Sequence, residues 1–156
     1  MAANLFAPTR LFTVREANAT LPLVRAITLD LVNVSRNLLD RRERLSGLLV
    51  GRRLSSGNPY DDELAQIEED LERDAARIQD FIDELQQLGV EPKSAVEGLV
   101  DFPAMLNGRV VNLCWKLGEI EVNHWHEADC GFESRQPLPD EGTRGSLPES
   151  RAGTVS

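Results

Sequence analysis

Apolar and polar positions alternate with two different periods along this chain. Between residues 27 and 48 the apolar side chains fall at Ile27, Leu31, Val34, Leu38, Leu45 and Leu48, in steps of four and three interrupted only by Arg41. Such steps place the side chains on one stripe of an α-helix, the seam of a two-helix contact. After GRRLSSGNPY, which its Gly, Ser, Asn and Pro mark as a loop, the same spacing returns at Leu64, Ile67, Leu71, Ala75, Ile78, Ile82 and Leu85, and Gly89 supplies a stop. If the two segments fold back antiparallel, Leu48 meets Leu64, Val34 meets Ile78 and Ile27 meets Leu85. The pattern therefore predicts a helical hairpin over about 20–88, with the stem of Arg41 along the seam opposite Leu71 and its head among nearby acids.

Upstream, Thr13 and Glu16 have the spacing of a capping box, in which each side chain satisfies a free backbone NH of the first turn. Pro22 lacks an NH and crowds the preceding turn, so the sequence predicts a short helix over 14–20 and a restart at Thr20-Leu21-Pro22.

From Val96 onward the period becomes two. Asn107-Gly108 and Leu117-Gly118-Glu119 read as tight turns, giving three short antiparallel strands near 98–103, 109–116 and 119–126. In the second of these Val111, Leu113 and Trp115 share a face, with Asn112 and Cys114 on the other. In the third, Ile120, Val122, His124 and His126 share a face, so the histidines continue an apolar one. The expected fold is α+β: a long antiparallel helical hairpin with a short N-terminal helix and a small three-stranded antiparallel sheet, in one domain over 1–138. Residues 139–156 are small, polar and rich in Gly and Pro, and are expected to be a disordered tail.

Charge narrows the classes of function. The net charge of −9 disfavours a nucleic-acid binder, which must present clustered Lys and Arg to phosphates. Residues 61–84 carry eleven acids against Arg73 and Arg77, while residues 25–53 carry seven arginines against Asp30, Asp40 and Glu43. The two arms of the hairpin are thus of opposite sign and suit each other. No apolar run approaches the roughly 20 residues of a membrane span, and the N-terminus lacks the pattern of a secretory signal, so the expectation is a cytoplasmic protein without a membrane partner. In that compartment Cys114 and Cys130 stay thiols unless they bind metal.

The chemistry concentrates in HWHEADCGF, residues 124–132, which holds both histidines of the chain. His124 and His126, two apart on a strand, project to one side at a separation that a single ion can bridge. Asp129 and Cys130 lie just downstream, and Asp101 could arrive from a neighbouring strand. Nitrogen with carboxylate or thiolate suits zinc first, with iron, copper or nickel allowed. The alternative is that both histidines are hydrogen-bonded strand-end residues. Glu127 beside His126 could serve a metal-bound water as general base. Mid-strand Cys114 reads as a buried structural thiol, and Arg135 as the ion-pair partner of Glu133 or Asp129.

FTVREANATLPLV at 12–24, GLVDFP at 99–103 with its preceding glycine, LCW-x-x-GE at 113–119 and HWHEAD-x-GF-x-x-R-x-P at 124–137 resemble the DUF2203 family, small bacterial proteins of unassigned function. The resemblance spans 12–138 and implies a helical hairpin joined to a small sheet. It also implies a polar set that falls here at Asp101, Glu119, His124, His126, Asp129 and Arg135, and it does not rest on a cysteine at 130. Three readings follow: a zinc-binding protein with His124, His126 and Asp129 or Asp101 as ligands; a hairpin interaction module; and a metal hydrolase using Glu127. For the second, Leu29, Leu39, Leu49, Phe81 and Leu88 lie off the seam and need cover, which a homodimer or another protein partner would supply.

Overall fold

The computed structural model describes residues 10–52 and 61–139. The capping box forms as its spacing requires: Thr13 N donates to Glu16 Oε1 at 2.9 Å and Glu16 N donates to Thr13 Oγ1 at 3.0 Å. From it runs one unbroken helix, α1 (Val14–Arg52), in place of the short helix and restart expected at Pro22. Pro22 points to solvent between the buried Leu21 and Val24. Packing of the flanking side chains outweighs a penalty of about 3 kcal/mol.

The second helix, α2 (Asp61–Gln87), returns antiparallel along α1. It ends in a Schellman motif, Val90 N donating to Leu85 O at 3.0 Å and Gly89 N to Gln86 O at 2.9 Å, with Gly89 at φ +89°. Val90 and Leu85, brought together by that motif, are both fully buried. The hairpin seam holds Leu38, Leu45 and Leu71, and Arg41 reaches Asp74 as the acid at its head. Leu48 and Leu49 lie outside the residues whose side chains are described, as does the expected tail beyond residue 139.

The sheet has five strands where three were expected, in the order β1 (Glu91–Ser94), β2 (Leu99–Leu106), β3 (Arg109–Lys116), β4 (His124–Glu127) and β5 (Gln136–Pro137), all antiparallel neighbours. The two outer strands are too short and polar to announce themselves by alternation. Asn107 and Gly108, both at positive φ, make the two-residue turn between β2 and β3. Pro103 sits within β2 because its C=O, and hence its missing NH, points away from β3. There Phe12 covers the strand, its N donating to Pro103 O at 2.7 Å.

One face of this sheet carries Val100, Phe102, Ala104, Val111, Leu113 and Trp115 against Ala17, Leu21, Val24, Ile27 and Leu31 of α1 and Leu85 of α2. Phe81 and Leu88 pack on the same core, so the cover they required comes from within the chain. Leu29 and Leu39 remain about half exposed, at 47% and 51%.

Candidate metal centre

The third strand expected over 119–126 does not form as such; residues 119–123 are a loop. Its backbone bonds are taken by α1, Val122 N donating to Asn18 Oδ1 at 2.7 Å and Arg25 to Ile120 O at 3.0 Å. Regular pairing starts only at His124, and Ile120 stands 89% exposed. Ladder geometry then decides the faces: residues directly opposite share one. Cys114 faces His124 and, on its other side, Asp101, while Asn112 faces His126. Val100, Phe102, Leu113 and Trp115 alternate to the helix-covered side. His124 and His126 therefore do not continue the apolar core face; they lie on the opposite one, with Asp101 and Cys114.

On that outer face three side chains converge from three adjacent strands. Asp101 of β2, Cys114 of β3 and His126 of β4 are each 2% exposed or less, and their ligand atoms all lie within 4.8 Å of one another. The imidazole of His126 crosses over β3 to reach Asp101, its Nε2 at 3.1 Å from both carboxylate oxygens. Its Nδ1 is 2.8 Å from the carbonyl oxygen of Glu127. A carbonyl only accepts, so Nδ1 carries the hydrogen and Nε2 is the atom turned to the carboxylate. Two acceptors that face each other out of water need a cation between them, either a proton or a metal ion.

Burial pushes the Asp101 carboxyl up from its usual range, against the opposing pull of His126 and Lys93. Burial also pushes the Cys114 thiol up, to about 11, with the Asp101 carboxylate adding to the rise and Arg135 working against it. The set is thus built to hold protons when nothing else neutralises it. Cys114 is not poised as a nucleophile, since its thiol is protonated at neutral pH and both nitrogens of His126 are engaged elsewhere.

Around the three lies a second ring of polar groups. Arg135 forks onto Glu119, NH1 to Oε1 at 3.2 Å and NH2 to Oε2 at 2.5 Å, and not onto Glu133 or Asp129 as expected. Burial raises the Glu119 carboxyl, but the bonds from Arg135 and the Lys116 NH outweigh it and hold the group below its usual range. Burial lowers His124, with help from Arg135 and against Glu119, so the ring is neutral at pH 7. The Nδ1 of His124 is buried without a hydrogen-bond partner.

Of the residues expected at the site, the structure thus gathers Asp101 and His126, sets His124, Glu119 and Arg135 beside them, and leaves Asp129 exposed at the turn with its carboxylate 3.7 Å from the exposed Cys130 Sγ. Glu127 projects to the other face of β4 and forks with Arg109 at 3.0 and 2.5 Å. Cys114 is the residue sequence reasoning missed. The signal was present in the two-residue turn at Asn107-Gly108, which pairs each β2 residue with the β3 residue equally far from the turn and so sets Asp101 against Cys114.

The model of the DUF2203 family, described as an uncharacterized conserved protein, matches residues 10–138. No curated protein and no solved structure matches the chain.

Proposed function

The chain belongs to the DUF2203 family, and from the buried cluster we propose that it is a zinc-binding protein whose ion is held by Asp101, Cys114 Sγ and His126 Nε2. The observation that carries the reading is the orientation of His126. A ligating histidine donates its second ring NH to a carbonyl or carboxylate, which fixes the tautomer, and His126 does so to Glu127 O while Nε2 faces a carboxylate. Two ligand atoms about 2.0–2.1 Å from a tetrahedral ion lie roughly 3.3 Å apart, and the 3.1 Å between Nε2 and Asp101 is close to that. Carboxylate, thiolate and imidazole together suit zinc, with iron or another divalent transition metal as the next candidates. His124, opposite Cys114 in the ladder with an unpartnered buried Nδ1, lies outside the three-residue cluster and would have to turn toward it to complete a His-x-His site; Asp129, in the solvent, is the weaker choice.

The role proposed for the ion is structural. It would tie β2, β3 and β4 together across the face that the helices leave uncovered. A hydrolase reading is not favoured, because Glu127 is paired with Arg109 on the opposite face. Elemental analysis of the tag-free chain tests the proposal: about one zinc per chain, lost in Cys114→Ser and in His126→Ala, is expected. A wild type that takes up no metal on reconstitution returns the cluster to a proton-holding pair.

A second reading concerns self-association. Leu23, Leu29 and Leu39 of α1 are each about half exposed. A second copy turned end for end would lay the basic α1 on the acidic α2 and could cover Leu29 and Leu39, which lie within one side of the helix. Sedimentation at rising concentration checks this, with a monomer at all concentrations counting against it.

A further inference from the structure

Asp101, Cys114 and His126 lie on the side of the sheet that the helices leave uncovered, yet each is 2% exposed or less. Beside them runs the segment 128–138, which follows β4 and returns through a short 3-10 turn, Phe132–Ser134, to β5, paired with β4 at His124 and Trp125. Its Arg135 guanidinium lies close enough to the Cys114 thiol to work against the rise that burial causes there. This segment packs poorly for a cover: of its side chains only Leu138 is buried. It is fastened by few contacts. They include the two-residue β5, the side chain of Leu138 in the core, Leu138 N to Asn123 O at 2.8 Å, Cys130 N to Glu127 O at 3.0 Å, Lys116 Nζ 5.6 Å from the Phe132 ring centre, and the fork of Arg135 onto Glu119. Phe132 lies under the Arg135 guanidinium, 4.2 Å from its ring centre.

The two halves of that fork differ in how they are held. Glu119 is anchored to the core: its Oε1 accepts from Lys116 N at 2.9 Å, and its carbonyl accepts from the indole of fully buried Trp115 at 3.0 Å. Arg135 rides on the weakly packed segment. A fixed carboxylate that grips a cation on a loosely seated chain is a latch, and a two-pronged charge-assisted bond, one-fifth to one-quarter exposed, is its strongest fastening.

We propose that residues 128–138 form a strap latched by Glu119–Arg135, and that release of this latch is the step that admits metal ions and small reagents to the Asp101, Cys114 and His126 cluster. The metal half of this statement rests on the zinc reading above; the access half does not. With the latch closed, Arg135 stands over Cys114 and exchange is slow. With it open, residues 128–137 lift as a local unit while Leu138, which packs in the helix-covered core, stays seated as the hinge.

The test uses the full-length chain carrying Cys130→Ser, so that Cys114 is its single thiol. Labelling of Cys114 by N-ethylmaleimide in metal-free protein should accelerate about tenfold or more in Glu119→Gln, which keeps the shape and removes the charge. Release of zinc to excess chelator should accelerate by a similar factor. Leu45→Ala, which weakens the hairpin seam far from the strap, controls for general loss of stability and should leave both rates unchanged. Equal labelling rates in Glu119→Gln and its parent, or acceleration by Leu45→Ala as large as by Glu119→Gln, overturn the latch. A parent that takes up no zinc removes the metal reading alone, and the labelling rates still decide whether the strap is latched.

Discussion

The two ends of the hairpin are built from similar helical stripes and held very differently. At the base, α1 and α2 both pack on one face of a five-stranded sheet, and Val24, Ile27, Leu31 and Leu85 share a core with Phe102, Leu113 and Trp115. At the far end, among the described residues, the buried apolar side chains are Leu38, Leu45 and Leu71, with Leu64, Ile67 and Ala75 partly so, and Arg41 crosses the seam to Asp74. The same periodicity thus yields a helix-on-sheet core in one place and a two-helix arm in the other. A helix stripe states which face wants cover and says nothing about how much cover it gets. Local opening should follow that difference, starting in the arm.

Truncation in the base should be the most damaging change. Phe102→Ala removes a fully buried ring packed edge-on to Phe12 at 5.2 Å and is expected to cost about 3–5 kcal/mol in urea unfolding. Leu71→Ala in the arm should cost about 2 kcal/mol, at the lower end for such a change because two helices can close on the gap more easily than helices held against a sheet. Equal costs would erase the distinction, and amide exchange in the Leu71 variant should quicken around 38–45 and 64–75 while that of β2 and β3 holds.

The junction of the two regions comes next. Gly98 has φ +73°, and a Cβ there would stand 2.7 Å from Leu117 Cβ and 3.1 Å from Val32 Cγ2. Gly98→Ala should therefore lower stability by about 1–3 kcal/mol and loosen the contact between α1 and the sheet, seen as a fall in melting temperature.

A smaller effect separates the strap from both. Glu119 titrates below its usual value in the folded chain, so its contribution is fully present above about pH 4.5 and is lost as pH falls through the lower folded value. The wild type should lose stability relative to Glu119→Gln over that acid window, and the two should run parallel above it. Parallel curves throughout would show that the pair does not couple to folding.

The smallest expected effect belongs to Glu127. It is paired with Arg109 in solvent on the far face of β4, so Glu127→Gln should leave both metal content and melting temperature unchanged within error. Loss of metal in that variant would restore Glu127 to the site.

Elements with short-range causes were legible before any coordinates. The Thr13–Glu16 box, the Gly89 stop, the Asn107-Gly108 turn and the seam of α1 and α2 each rest on groups a few residues apart, and each formed. The site was half legible: HWHEADCGF marked the place and Asp101 was named as a residue that could arrive, while Cys114 passed as a core thiol. The errors share a cause. Pro22 is tolerated because neighbours bury Leu21 and Val24, β1 and β5 exist because β2 and β4 offer them edges, and Arg135 found Glu119 only after two loops were folded together.

The sequence by itself determined the hairpin, its opposite charges and the register of Asp101 with Cys114, because turn geometry and helical spacing act within reach of the backbone that carries them. Only the tertiary structure decided which face of the sheet the helices cover. That choice sums the burial of Val100, Phe102, Val111, Leu113 and Trp115 against residues up to a hundred positions away. It is what turns His126 from the core toward Asp101 and makes three scattered side chains a cluster.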